Sequence, residues 1–169
     1  MTTEVTKLEN MEVMVPATLV AECHASSAAE SSAISAAVGV AFQRIQAFLN
    51  ANGIPAAGAP RVVYTEWSAG GVTFTAAIPI AAAPPNVNDS ADVTIKATAE
   101  SSALRFVHHG PYRDVRSTYD RIEAWLRARG GIKTAADWAR YSPMWEEYLN
   151  DPATTPESEL ITRIYLTLR

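Results

Sequence analysis

The sequence is poor in the residues that build disulfides and metal centres. It contains one cysteine, Cys23, among 169 residues, so an internal disulfide is excluded, and no Cys/His spacing resembles a zinc site. The three histidines are too few and too scattered for the sequence to indicate a metal: His24, His108 and His109. We therefore expect neither a metal nor another cofactor.

Motifs of common enzyme classes are also missing. There is no Gly-rich phosphate loop, no Gly-x-Ser-x-Gly elbow, no His-Glu-x-x-His and no dinucleotide-binding fingerprint. Met1–Glu4 provides no basic region ahead of an apolar run, and no stretch approaches the ~20 apolar residues of a membrane span. We expect a cytoplasmic protein that has no membrane partner and is not a standard cofactor enzyme.

Basic residues are fewer than acidic residues. Fourteen Lys and Arg face eighteen Asp and Glu, a net charge of −4, whereas nucleic-acid-binding proteins need a positive surface to neutralise phosphates. We therefore expect no direct nucleic-acid binding. Residues 105–140 are locally basic, with eight basic and four acidic side chains, and a solvated helix face explains this cluster better than a phosphate-binding surface.

What is present indicates one globular domain. With 48% hydrophobic and 19% charged residues, the chain can bury a real core. The first half contains predicted extended segments and one helix, followed by a Pro-rich linker: 11–22 (interrupted by Pro16), helix 29–52, hairpin 61–67 and 72–80, linker 83–92. The second half is predicted to follow the same order: 93–108, helix 114–129, 145–149 and 160–168.

We interpret this repeated β-α-β-β order as a duplication. At an offset of 77 residues the two helices align in six like pairs over eight positions, although any two amphipathic helices share part of such a pattern. The expected fold is α+β, a single domain over 1–169 with pseudo-twofold modules at about 10–82 and 93–169. We expect antiparallel sheets with the helices packed on one side. A central cleft where the modules meet is a natural ligand site.

The turn His109–Tyr112 is the first candidate for a functional role. Its sequence, His-Gly-Pro-Tyr, lies between a predicted strand and a predicted helix, where Gly allows an unusual backbone angle and Pro starts the helix. Tyr112 either packs in the first helical turn or points its hydroxyl into a wet cleft.

The segment Met144–Leu149 is the second candidate, because it combines a strand pattern with two adjacent acids. Strand alternation places Glu146 and Tyr148 on one face and Trp145 and Glu147 on the other. A carboxylate beside aromatic rings suits an organic cation, and a desolvated carboxylate could also act as a general base or nucleophile. Composition alone favours a simpler interpretation, in which both acids are exposed charges on an edge strand.

Large aromatic residues form the third candidate group. Core packing explains most of them, and those on the two helices are assigned to the core: Phe42, Phe48, Tyr119 and Trp125. In the first hairpin, alternation places Tyr64 and Glu66 on one face and Trp67 on the other. This hairpin could therefore offer a second acid and further rings to the same groove.

Four segments of the sequence, taken together, resemble the GyrI-like small-molecule-binding family. This family is also known as the effector-binding domain attached to AraC-type and MerR-type regulators. The segments are His109–Tyr112, Ala124–Leu126, Trp145–Pro152 and Glu159–Tyr165. The resemblance covers essentially the whole chain, with Tyr64 near the aromatic expected in the first half. The family's usual ending has a proline where Leu166 or Thr167 stands, a departure that affects the last strand more than the site.

The resemblance implies paired β-α-β-β modules around a cleft that binds bulky, often cationic, aromatic compounds through a central glutamate, at the position of Glu146. Some free-standing members with a Trp-Glu pair are similar to hydrolases that open cyclopropane-bearing toxins, and Trp145 with Glu146 matches that pair. Little sequence precedes the first predicted strand, so we expect a stand-alone domain without a helix-turn-helix.

Three hypotheses follow. In the first, the protein binds hydrophobic, aromatic and in some cases cationic small molecules, with Glu146 as the charge partner and five cleft walls: Tyr64, Trp67, Tyr112, Trp145 and Tyr148. In the second, it is a hydrolase in which Glu146 activates a water while Trp145 and Tyr112 position the substrate. In the third, it inhibits a protein such as a topoisomerase through the basic 113–140 surface or the acidic termini. Whether the protein is an enzyme stays open.

Overall fold

The computed structural model describes residues 7–169, so the expectation about a leader, which depends on Met1–Glu4, lies outside it. The eight strands are β1 Asn10–Val15, β2 Leu19–Ser27, β3 Arg61–Ser68, β4 Gly71–Pro79, β5 Thr94–Ala97, β6 Ser101–His109, β7 Met144–Tyr148 and β8 Ile161–Leu168. The two α-helices are α1 Ser31–Ala51 and α2 Val115–Ala128. Three short 3-10 helices cover Tyr112–Asp114, Ala135–Tyr141 and Glu157–Glu159.

All eight strands form one antiparallel sheet in the order β1-β6-β8-β7-β3-β4-β2-β5, which confirms the predicted α+β class. The first half of the chain supplies the block β3-β4-β2 and the second half supplies β6-β8-β7. The two blocks meet at the centre of the sheet, where β3 pairs with β7. The duplication of the sequence itself remains a prediction.

Two segments that were predicted as single extended stretches are each two strands. Residues 11–22 divide into β1 and β2 at Pro16, which has no N–H to donate to a ladder. Residues 93–108 divide into β5 and β6, and the connection between them is tied back through the Thr98 N–H to the carbonyl oxygen of Thr18 at 2.8 Å. β1 then pairs with β6, and β5 pairs with β2. Each half of the chain therefore supplies an outer strand to the other half.

The helices lie over the two blocks and leave the centre of the sheet between them. α1 packs on β2 and β4, with its most buried residues at Ala41, Ile45, Phe48 and Leu49. α2 packs over β6 through Ile122 and Leu126. Each helix covers a separate apolar cluster. The strands β3 and β7 lie between these two cores.

Length and composition alone would allow α1 to cross a membrane, although core helices of folded domains pass the same test. Its buried face packs on the sheet, so α1 is a core helix of the folded domain. The other face of the sheet carries a third apolar cluster, and all of its members are strand residues: Val13, Val15, Val63, Ala103, Trp145 and Tyr165.

Candidate functional site

β7 lies at the centre of the sheet and sends its side chains alternately to the two faces. Glu146 and Tyr148 lie on the face of the sheet that the helices cover, while Trp145 and Glu147 face the opposite side. This is the arrangement that strand alternation predicts. The simpler interpretation, an exposed edge strand, is wrong, because β7 pairs with β8 on one side and β3 on the other.

The Glu146 carboxylate is buried among tyrosine hydroxyls. Glu146 is only 5% exposed. The Tyr119 hydroxyl donates to Oε1 at 2.7 Å, and the Tyr148 hydroxyl donates to Oε2 at 2.7 Å. The phenol of Tyr64, from β3, lies against the same carboxyl group. Three elements, β3, β7 and α2, therefore converge on one acid.

These contacts only partly compensate for burial of the charge. Burial raises the pKa of Glu146, while the hydrogen bonds from Tyr148 and Tyr119 and the proximity of His108 act in the opposite direction. Burial and the neighbouring carboxylate also raise the pKa values of Tyr64, Tyr119 and Tyr148. These phenols therefore stay protonated. Within residues 7–169, no Lys or Arg forms an ion pair with Glu146.

Two further aromatic rings close over this group. Tyr112 packs edge-to-face on Tyr148 with ring centroids 5.4 Å apart, and Phe42 does so at 6.3 Å. Tyr112 reaches this position because the chain turns at Gly110, whose φ of +112° favours glycine. Tyr112 thus begins the 3-10 helix Tyr112–Asp114 and packs its ring on Tyr148.

The β3–β4 hairpin contains a bulge that the sequence did not reveal. Between Tyr64 and Glu66 the partner on β4 advances by only one residue, so Thr65 is an extra residue. A bulge moves every later side chain to the other face. Trp67 therefore shares the face of Tyr64, at 5.6 Å between ring centroids, and is 62% exposed at the rim. The expectation that Tyr64 and Glu66 share a face opposite Trp67 is wrong.

Trp145 does not lie beside the Glu146 carboxyl group, although it directly precedes Glu146 in sequence. It faces the other side of the sheet, is 6% exposed and stacks on Tyr165 with ring centroids 3.7 Å apart. The structure therefore brings together four of the five predicted cleft walls around or near Glu146, and Trp145 is the exception. The matched Trp-Glu pair does not form one surface.

Sequence reasoning missed Tyr119 and Phe42, which it assigned to the core. The signal for Tyr119 was its hydroxyl, because a buried phenol needs a hydrogen-bond partner and an ordinary core position would favour Phe. His108 was also missed. It is 3% exposed, its Nε2 donates to the Pro111 carbonyl at 2.9 Å and its Nδ1 lies 2.7 Å from the Thr118 hydroxyl.

Three of the eight basic side chains in the locally basic segment form ion pairs, and a fourth packs on an aromatic ring. These contacts join Arg113 with Glu157, Arg127 with Glu123 and Arg140 with Asp137, and place Arg129 over the Trp125 ring at 3.9 Å. In the described part of the chain, no group of three or more His, Cys, Asp or Glu is arranged to hold a metal ion.

Comparison with known proteins identifies the domain type. Residues 11–169 match the model of the GyrI-like small molecule binding domain. No curated protein matches the chain in sequence.

Solved structures share the fold at low identity. The C-terminal domain of EcmrR has a TM-score of 0.72 and 16% identity, over 96% of this chain and 98% of that chain. EcmrR in its complex with DNA has a TM-score of 0.73 and 14% identity over 94% of this chain. Only 56% of that EcmrR chain is covered, so the present chain spans about half its length.

Two smaller relatives are covered almost completely. SAV2435 bound to tetraphenylphosphonium has a TM-score of 0.57 and 13% identity, over 95% of this chain and 94% of that chain. A hydrolase from Listeria innocua has a TM-score of 0.57 and 11% identity, over 94% and 90%. At these identities the likeness shows the fold alone.

Proposed function

Because this chain belongs to the family of GyrI-like small molecule binding domains, we propose that it binds bulky aromatic cations in the groove between α1 and α2. Glu146 supplies the negative charge, and Tyr64, Tyr112, Tyr119 and Tyr148 supply the rings. The proposed role is sequestration or sensing of such compounds.

The observation that supports this proposal most strongly is the set of partners around Glu146. A buried carboxylate normally has a cationic partner, since an uncompensated buried charge costs several kcal/mol. Here its hydrogen-bond donors are neutral phenols. An incoming organic cation would supply the missing charge, and the tyrosine rings would add cation–π attraction and apolar contact. Binding requires Tyr112 or Tyr148 to change rotamer.

Tetraphenylphosphonium is a suitable probe, because SAV2435, which shares this fold, has been solved bound to it. In a calorimetric titration at constant ionic strength we expect Glu146→Gln to weaken binding at least about tenfold, equivalent to ~1.4 kcal/mol. Glu147→Gln is the matched control, since it removes the same charge one residue away on the opposite face. The proposal fails when Glu146→Gln binds this cation as tightly as the wild type.

A neutral compound of similar shape separates charge from packing. We expect triphenylphosphine oxide to bind the wild type and Glu146→Gln with similar affinity, because it carries no net charge for the carboxylate to attract. A loss of affinity for this neutral compound that equals the loss for tetraphenylphosphonium would mean that the substitution damaged the groove.

A hydrolase is the second candidate. The raised pKa of Glu146 suits a general base that activates a water against a strained electrophile, a role worth roughly 10²–10⁴-fold in rate. Trp145 would support such a reaction through the strand and not by touching a substrate beside Glu146. Incubation with a cyclopropane-bearing alkylating toxin, followed by mass spectrometry, tests this candidate, and recovery of unchanged toxin at stoichiometric protein rejects it.

The protein-inhibitor hypothesis has less support, because three arginines of the basic 113–140 segment, Arg113, Arg127 and Arg140, already form ion pairs within the protein. Pull-down of a topoisomerase at low and moderate salt tests it, since nonspecific charge contacts between exposed surfaces weaken as salt rises. Recovery that disappears at moderate salt counts against this hypothesis.

A further inference from the structure

The sheet face opposite the groove carries arginines on both sides of an aromatic pair. Trp145 and Tyr165 stack with nearly parallel rings, and the Arg61 guanidinium lies 5.0 Å from the centroid of the Trp145 ring. Arg105 on β6 is the cross-strand neighbour of Tyr165. The aromatic pair therefore lies between two cations.

Acidic side chains do not fully neutralise these cations. Glu147 accepts a hydrogen bond from the Tyr165 hydroxyl at 3.1 Å and lies 3.4 Å from Arg163. The Nε atoms of Arg61 and Arg105 are buried and have no hydrogen-bond partner. Buried donors are normally paired, because an unpaired one loses its hydration without compensation.

A depression of about 450 Å³ opens beside Arg105, between the start of β1 and β6. Lys7, Met11 and Val107 also line it. Nη2 of Arg105 donates a hydrogen bond to the Met11 sulfur at 3.6 Å, and a thioether is a weak acceptor. Glu9 lines the same depression, but its Oε1 lies 3.4 Å from Nε2 of His109.

We infer that this depression binds a small organic anion, with a carboxylate or other oxyanion head beside Arg105 and Lys7. The apolar or aromatic body of the anion would rest on Met11 and Val107. A guanidinium presents paired donors that match the two oxygens of a carboxylate, and the flexible Met11 side chain adapts to varied shapes. The site lies on the other side of the sheet from Glu146 and does not depend on the cation-binding proposal.

The test uses 2-naphthoate as the probe, titrated by calorimetry at constant ionic strength. We expect the wild type to bind it and Arg105→Gln to bind it about tenfold more weakly or worse, because a charge-assisted hydrogen bond is lost. Arg140→Gln is the matched control, since Arg140 is exposed and paired with Asp137 on another part of the surface. That control should bind 2-naphthoate like the wild type.

A second measurement needs no variant. The methyl ester of 2-naphthoate keeps the ring and removes the charge, so the wild type should bind it at least about tenfold more weakly than the acid. Equal binding of acid and ester, no binding of 2-naphthoate at millimolar concentration, or unchanged affinity in Arg105→Gln would each overturn the inference. Arg105→Gln should retain tetraphenylphosphonium binding, so the two proposals can fail separately.

Discussion

Glu146 and Glu147 are consecutive residues on β7, yet their carboxylates have different kinds of partner on the two faces of the sheet. Glu146 is buried beneath tyrosine hydroxyls, whereas Glu147 has Arg163 and the Tyr165 hydroxyl as partners. A carboxylate with a cationic partner is already neutralised, and one with only neutral donors retains its attraction for a cation. The two acids therefore differ in the charge of their partners as well as in burial.

The largest loss of stability that we expect from a single substitution is on the sheet face opposite Glu146. Trp145→Ala should lower the free energy of unfolding by about 3–5 kcal/mol, because a buried ring packed between Tyr165 and Arg61 is removed. Urea denaturation measures this loss. A loss below about 1 kcal/mol would show that the aromatic pair contributes little to the stability of the sheet.

Removal of single hydroxyls tests how each carboxylate is supported. Tyr119→Phe or Tyr148→Phe should cost about 1–3 kcal/mol at neutral pH, because each leaves the buried Glu146 with one donor fewer. Tyr165→Phe should cost less than about 1 kcal/mol, since Glu147 keeps Arg163 as a partner. The comparison of the two faces is contradicted if Tyr165→Phe proves the most costly of the three in urea denaturation.

The pH dependence of stability gives a third test. The pKa of Glu146 is raised above its unfolded value of 4.5, so the folded state holds its proton more tightly and wild-type stability falls as pH rises through the folded pKa. Glu146→Gln lacks this loss. Its melting temperature relative to that of the wild type should therefore be higher at about pH 7–8 than near pH 4.

Thermal melts across this pH range check the sign. Glu147→Gln serves as the control, and its melting temperature relative to the wild type should not rise with pH in this way. An advantage of Glu146→Gln that is greatest at acid pH would contradict the assigned direction.

The smallest stability effect should occur at the rim of the groove. Trp67→Ala should change the free energy of unfolding by less than about 0.5 kcal/mol, because the ring is 62% exposed. It should nevertheless weaken tetraphenylphosphonium binding about threefold to tenfold through the lost aromatic contact. Fluorescence or calorimetric titration measures this, and unchanged affinity would remove Trp67 from the binding surface.

The sequence predicted well where local geometry decides. Alternation along β7 separated Glu146 from Trp145 and Glu147, because a period of two depends only on the strand itself. The same reasoning failed at Trp67, because the extra residue at Thr65 is set by the pairing of β3 with β4. It also missed Tyr119, since no local pattern distinguishes a tyrosine packed in a core from one whose hydroxyl reaches an acid on another element.

The sequence by itself therefore determined the α+β class, the segments that resemble the family and the separation of the two acids on β7. Only the tertiary structure decided that β7 pairs with β3 at the centre of the sheet, that β1 and β5 cross to the other half, and that α1 and α2 pack on separate parts of the sheet, with Glu146 buried on the face they cover. The physical reason is distance along the chain. Side-chain direction is a property of neighbouring residues, whereas burial and charge compensation are set by partners that folding brings from far away.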